Sequence, residues 1–233
     1  MVGISRDPLA SLVSSLTPSQ LAAYVMRQIG YFFPDDHWMD SGTFESAATI
    51  ALSRYSFCCA HIGLKYYQKD GHPLFDHMHS DQYAMVLYYL SRALFESHHP
   101  DLASRVYYLN KVLHALDIFY EVVLPEVFLL SHPVGTVLGR ASYGKFLAVY
   151  QNCTVGSNAG VYPRLGENVV LYAGATVVGK TNLGDNTIVS AHGFLRDETV
   201  PSNSVVFGSS PHPIVKPLKT DIRGQIFQCP LSP

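Results

Sequence analysis

Several side chains in this 233-residue chain could do chemistry, and their spacing limits what that chemistry is. Asp76-His77-Met78-His79-Ser80-Asp81 gathers groups that ligate metals, but it lies in a polar stretch between helical patterns, where caps and solvated histidines are common. No metal is expected there. Of the cysteines, Cys58 and Cys59 are adjacent and poorly suited to a disulfide, and no CxxC or zinc spacing joins them to Cys153 or Cys229. A reduced, cytoplasmic setting is the default. Cys153 has a nucleophile's chemistry, yet Val149 and Val155 bracket it on an apolar beat, so it reads as a small core residue. Taken alone, His132 reads as a turn histidine, and Asp117 as a capping or turn residue where the helical pattern ends.

The elements that must position these groups fall into two kinds. From Leu165 an aliphatic residue recurs every six positions: Leu165, Leu171, Val177, Leu183, Val189 and Leu195, with Pro201 and Phe207 on the same beat. Four residues after each member stands a small or β-branched residue, among them Val169, Ala175, Thr181 and Thr187. Neither a helix nor one long strand repeats in six. Hexapeptides that each supply a short strand and a turn do, three of them closing one triangular coil of a parallel β-helix. Upstream, Val149, Val155 and Val161 keep the beat, and the step of only four from Val161 to Leu165 predicts a turn shortened at Tyr162-Pro163-Arg164.

Before the coils the pattern is helical. Thr17-Pro18-Ser19-Gln20 is a capped start, followed by Leu21, Tyr24, Val25 and Ile29 on one face, ending near Phe33. Further helices are predicted over Phe44 to Tyr67, Asp81 to Glu96, and Asp101 to about Leu116. Asp117 to Ser131 reads as β-rich. The predicted class is α+β: a helical domain over 1–116, a β-helix over 117–217 and a tail over 218–233, lying as a strap along the outside. A hydrophobic fraction of 48% and a charged fraction of 15% suit a soluble globular protein. A net charge of −2 with no basic run gives no case for nucleic acid, and no apolar run approaches the ~20 residues that span a bilayer.

Three segments resemble the hexapeptide-repeat acyltransferases, and within them the serine O-acetyltransferases, over roughly residues 88–217. Leu130-Ser131-His132-Pro133-Val134-Gly135-Thr136-Val137-Leu138-Gly139 is similar to that family's L-D-H-A-T-G-I-V-I-G segment. Asp117-Ile118 stands before His132 at the spacing of the family's D-I-H-P aspartate. Val170 to Gly179 and Val189 to Ala191 resemble its successive coils, and Gly208-Ser209-Ser210-Pro211 its coil-ending segment.

The resemblance implies a left-handed β-helix, a hand that general crossover rules would not supply. It implies acetyl-CoA-dependent O-acetyl transfer to serine or a serine-like small hydroxyl acceptor, with no covalent intermediate and no metal. In this reading His132 is the general base and Asp117 orients it. Ala173 and Ala191, one coil apart, hold the pantetheine arm, and Gly208 and Lys216 lie near the coenzyme's distal end. It also implies a homotrimer or a dimer of trimers, with the sites in grooves between subunits. Two departures concern the acceptor. Ser131 stands where the family has a serine-binding aspartate, and the family's R-H-P loop is replaced by Val161-Tyr162-Pro163, which makes Tyr162 the acceptor-side candidate there. Asp81, or Asp76, is the acid the helical domain would lend to the acceptor. An acyltransferase for a sugar or secondary-metabolite hydroxyl, and a non-catalytic β-helix scaffold, stay open. A carbonic-anhydrase-type lyase needs three zinc-binding histidines on neighbouring coils, and the coils offer only His132 and His192.

Overall fold

The computed structural model describes residues 11–35 and 37–228; Cys229 and the first ten residues lie outside them. Helix α1 (Pro18–Phe32) starts as its sequence demands. The amide of Gln20 donates to Thr17 Oγ1 at 3.2 Å, and the amide of Thr17 to Gln20 Oε1 at 2.9 Å. A short strand β1 (Val13–Ser14) precedes it. Helix α2 (Ser41–Ala60) is capped by Asp40, whose carboxylate accepts from the amide and hydroxyl of Thr43, both at 2.7 Å. It stops seven residues before the expected Tyr67. Gly63 follows, and the Gln68 side chain donates to the carbonyls of Cys59 and Ile62 at 3.1 and 3.2 Å, closing the helix end. The released chain makes one 3-10 turn (Lys65–Tyr67) and a hairpin of β2 (Gln68–Lys69) and β3 (His72–Phe75). Helices α3 (Ser80–Glu96) and α4 (Pro100–His114) complete the layer, and α4 ends on Ala115 in the left-handed region (φ 50°).

The segment after α4 is largely irregular rather than β-rich. Side chains take up its backbone groups instead of a strand ladder: the amide of Leu124 donates to Tyr88 Oη at 2.9 Å, Tyr88 Oη donates to the Val122 carbonyl at 3.0 Å, and Arg92 donates to the Tyr120 carbonyl at 2.9 Å.

The remainder is a parallel, left-handed β-solenoid of about four turns. Its first face stacks β4 (Phe128–Leu130), β7 (Leu147–Val149), β10 (Val169–Leu171), β13 (Thr187–Val189) and β16 (Ser204–Phe207). The second stacks β5 (Val137–Leu138), β8 (Thr154–Gly156), β11 (Thr176–Val178) and β14 (Phe194–Arg196), and the third β6 (Ser142–Tyr143), β9 (Arg164–Leu165), β12 (Asn182–Leu183) and β15 (Thr199–Val200). Leu171, Val177, Leu183, Val189 and Leu195 all point inward, each at most 1% exposed. Asn168, Asn186 and Asn203 turn one edge with φ of 57°, 52° and 57°, their amides bonded in a ladder at 2.8 Å.

Two expectations about the beat are corrected. No turn is shortened at Tyr162; the coil there is lengthened. Ala148 pairs with Val170, and Val170 with Ile188, and the stretch of chain between the first two is the longer. The extra residues form a hairpin in which Asn158 and Val161 exchange both backbone bonds at 3.0 Å. Val161 is 46% exposed, so it falls on the beat by coincidence, and Leu165 is the next buried aliphatic residue of the beat after Val155. After Leu195 one residue is instead lost: the inward positions are Val200 and Val206, while Pro201 and Phe207 face out.

The last strand, β17 (Ile214–Pro217), pairs antiparallel with β16, and the chain then returns to the helices. Helix α5 (Arg223–Ile226) buries Ile226, its flanking residues Ile222 and Phe227 are buried too, and Phe227 bridges Ile62 beyond the end of α2. Buried residues of helices and solenoid form one continuous core. Deleting 158–161 should restore a coil of standard length and leave the fold intact. The expected outcome is an unchanged far-UV spectrum with a melting temperature within a few degrees; loss of cooperative unfolding would show that these residues are structural.

Candidate active site

Strand β4 delivers the chain into a turn with two left-handed residues, His132 (φ 50°) and Gly135 (φ 74°). Such a conformation costs a non-glycine residue roughly 1–2 kcal/mol, so something must hold His132 there. The amide of Ser131 donates to the Val149 carbonyl at 2.9 Å, and the amide of His132 donates to Asp81 Oδ2 at 2.9 Å. Asp81 comes from the first turn of α3, where the positive end of the helix suits a carboxylate. The Asp81 side chain is 10% exposed, the His132 imidazole 78%. Nδ1 of His132 lies 3.8 Å from the same Oδ2, and Ser80 Oγ donates to Oδ1 at 3.4 Å.

The structure does not bring Asp117 and His132 into a hydrogen bond. Asp117 sits one coil below Val137, on the second face, its amide donating to the Thr136 carbonyl at 2.9 Å. Its carboxylate is occupied from α4: Tyr107 Oη donates to Oδ1 at 2.6 Å and Lys111 Nζ to Oδ2 at 2.7 Å. Burial pushes this carboxyl up, but the Lys111 and Tyr107 bonds outweigh it and hold it below the usual range. Tyr107 and Lys111 carry no motif in the sequence. They lie four apart on one helical face, the only signal they give.

Other candidates distribute along the prism. Ala173 and Ala191 stack on the edge between the first and second faces, the edge that His132 begins; the amide of His192 donates to the Ala173 carbonyl at 2.9 Å. Gly208 closes that edge, its carbonyl accepting from the Phe194 amide at 3.1 Å. Lys216 is on the outer strand β17, its ammonium 5.6 Å from the Phe207 ring. Tyr162, 42% exposed, lies between the second and third faces, so within one chain it is on a different edge from His132. Cys153 is buried, its thiol donating to the Tyr172 carbonyl at 3.2 Å, and burial pushes it up, away from thiolate chemistry. Among the described residues no group of three or more His, Cys, Asp or Glu side chains could hold a metal, and no helix is long and apolar enough to cross a membrane.

The edge therefore offers an exposed imidazole with Nδ1 toward a buried carboxylate, and a row of stacked backbone groups beside it. That arrangement can accept a proton from a bound hydroxyl while an extended ligand lies along the coils.

No family model matches the sequence. A serine acetyltransferase of Synechococcus elongatus is 30% identical over 131 residues, covering 54% of this chain and 53% of the relative. The chain spans about half the length of the first curated relatives it matches. Among solved structures, a serine acetyltransferase of Neisseria gonorrhoeae superposes with a TM-score of 0.67 at 20% identity, over 91% of this chain and 83% of that one. A serine acetyltransferase in complex with CoA superposes with a TM-score of 0.64 at 15% identity, over 86% of each chain. At these identities the structural likeness shows the fold.

Behind Asp81 lies His114, whose Nδ1 is 2.8 Å from Asn110 Oδ1. Burial lowers its pKa below the ordinary 6.5, against the opposing charge of Asp81. The unfolded chain then binds a proton that the folded one resists. Stability from neutral His114 is complete above about pH 6.5 and is lost as the pH falls toward the lower folded value. Urea midpoints should drop between about pH 7.5 and 5.5 in the wild type, and drop less in His114→Gln.

Proposed function

We propose that this chain is an acetyl-CoA-dependent O-acetyltransferase acting on the hydroxyl of serine or a serine-like small acceptor. The observation that carries the reading is the conjunction of His132, Ala173 and Ala191 on one edge of the solenoid in a chain whose sequence relatives are named serine acetyltransferases. The structural neighbour solved with CoA is consistent with acetyl-CoA as the donor.

A hydroxyl holds its proton at neutral pH and is a poor nucleophile. In this reading the free Nε2 of His132 takes that proton as the oxygen attacks the thioester carbonyl. The tetrahedral intermediate then collapses, the carbon–sulfur bond breaks, and the imidazolium returns the proton to the departing thiolate. No covalent enzyme intermediate forms and no metal is required by the step. Base help of this kind is worth roughly 10²–10⁴ in rate, and holding hydroxyl and thioester together contributes the larger share. Backbone groups of Ala173 and Ala191 bind the two amides of the pantetheine arm, with Gly208 and Lys216 toward the phosphates.

The solenoid's exposed sides support a homotrimer, or a dimer of trimers, with three equivalent grooves. Within one chain Tyr162 lies on a different edge from Ser131 and His132, so its acceptor-side role requires the copy in a neighbouring subunit. Three described cysteines, Cys58, Cys59 and Cys153, are buried free thiols, which suits a reducing, cytoplasmic setting.

The test is thiol release from acetyl-CoA against a panel of serine, homoserine and other small hydroxyl acceptors. Wild type should release thiol with one of them, and His132→Ala should lose about 10²–10⁴-fold in kcat with little change in the KM for acetyl-CoA. Turnover that is indifferent to His132 would overturn the reading.

A further inference from the structure

The base proposed above needs a partner that fixes its tautomer and stabilises the imidazolium as it forms. Two carboxylates are near the turn that carries His132, and the structure treats them differently. Asp117 has both oxygens engaged, one by the Tyr107 hydroxyl and one by the Lys111 ammonium, so its charge is already compensated. Among the described residues Asp81 meets no Lys or Arg in an ion pair; the one basic group it pairs with is His132. It reaches His132 twice through one oxygen, by the backbone amide at 2.9 Å and toward Nδ1 at 3.8 Å.

We infer that Asp81, not Asp117, is the positioning carboxylate of His132, so that the base sits on the solenoid while the group that orients it is carried in by helix α3. This rests on His132 being the base. Nδ1 is about 0.6 Å beyond ordinary hydrogen-bond range of Oδ2, and the imidazole is exposed and free to turn. The amide bond to the same oxygen fixes the origin of that rotation. Asp81 is itself fixed, with its side chain almost wholly buried in the first turn of α3. Burial matters to its work: a nearly desolvated carboxylate acts on an adjacent imidazolium more strongly than an exposed one does. Asp117, by contrast, ties α4 to the first coil through Tyr107 and Lys111. In this assignment Asp81 orients the base, where the sequence resemblance implied a grip on the acceptor.

Among the described residues the groups that face Asp81 are few. Ser80 donates to its other oxygen, and His132 comes from the β4 turn. His114 of α4 and Tyr67 of the 3-10 turn both feel its charge, Tyr67 being pushed up first by burial and then by Asp81. His79, the residue before Ser80, packs against Tyr67 with ring centroids 5.8 Å apart.

The experiment compares Asp81→Asn, Asp117→Asn and Asp81→Glu with wild type in the full chain, by two readouts. The first is an NMR titration of the His132 ring, which needs no turnover. Asp81→Asn should move its midpoint to lower pH, and Asp117→Asn should move it less. The second is kinetics with the acceptor found active. Asp81→Asn should lower kcat by on the order of 10²-fold, with the KM values for both substrates within a few-fold and the acid limb of kcat/KM displaced with the NMR midpoint. Asp81→Glu should recover part of kcat. A larger effect of Asp117→Asn on the titration would overturn the assignment, as would an Asp81→Asn variant whose defect lies in the acceptor KM alone. Loss of the folded NMR spectrum in Asp81→Asn is met by Asp81→Glu. A lowered kcat that follows its His132 midpoint would support the assignment; a wild-type midpoint with a collapsed acceptor KM would refute it. If no acceptor turns over in wild type, the transferase reading fails while the NMR comparison still decides the partner of His132.

Discussion

One constraint governs the molecule: each coil's strands must hydrogen-bond, residue for residue, to the strands of the coils on either side. Three short strands per coil keep that register through the regular turns, as Val169 to Thr187, Thr176 to Phe194 and Leu165 to Leu183 show. The ladder spaces neighbouring coils by about 4.8 Å. Equivalent residues therefore stack, whether asparagines bonded amide to amide on one edge or alanines carrying backbone groups on another. Departures are confined to the edges, where residues lie off the ladder. The hairpin at Asn158–Val161 and the residue lost after Leu195 both occur there, and the strands beyond resume their pairing.

The same constraint explains why the helical layer matters to the site. A solenoid stacks groups of one kind well, but its turns are short and its edges exposed. A buried charge must come from elsewhere. Helix α3 supplies it, with Asp81 accepting from the backbone of the turn that His132 occupies. Helix α4 braces the first coil through Lys111 and Asp117. The tail binds the assembly from the other end, with the Gly63 amide donating to the Ile226 carbonyl at 2.9 Å and the Gln228 amide to the His61 carbonyl at 2.8 Å. Helices and prism accordingly share one core, and the first coil is held between them.

How far the sequence can be read follows from the range of the interactions. The six-residue beat is local and repeated, so the solenoid, the inward residues and the stacking of Ala173 under Ala191 are legible. So is the capped start at Thr17, whose partner is three residues away. Local patterns mislead where something distant outvotes them. The helical pattern beyond Ala60 ends because Gln68 and the C-terminal tail close it. The apolar run after Asp117 pairs little because Tyr88 and Arg92 take its backbone groups. Val161 keeps the beat by accident. At the candidate site, His132 is visible as a residue, but its contact is 51 positions away. Asp117 is visible too; that α4 intercepts it through Lys111 is apparent only once the helix end is known.

In the proposed function acetyl-CoA lies along the edge running from His132 past Ala173 and Ala191. A crystal structure of the chain with coenzyme A bound tests it most directly. The expected complex has pantetheine amides hydrogen-bonded to the backbone at Ala173 and Ala191, with the sulfur close enough to His132 for a bridging acceptor oxygen to sit about 3–3.5 Å from the carbonyl it attacks. Coenzyme A bound along another edge, or with its sulfur at the far end of the solenoid from His132, would contradict it.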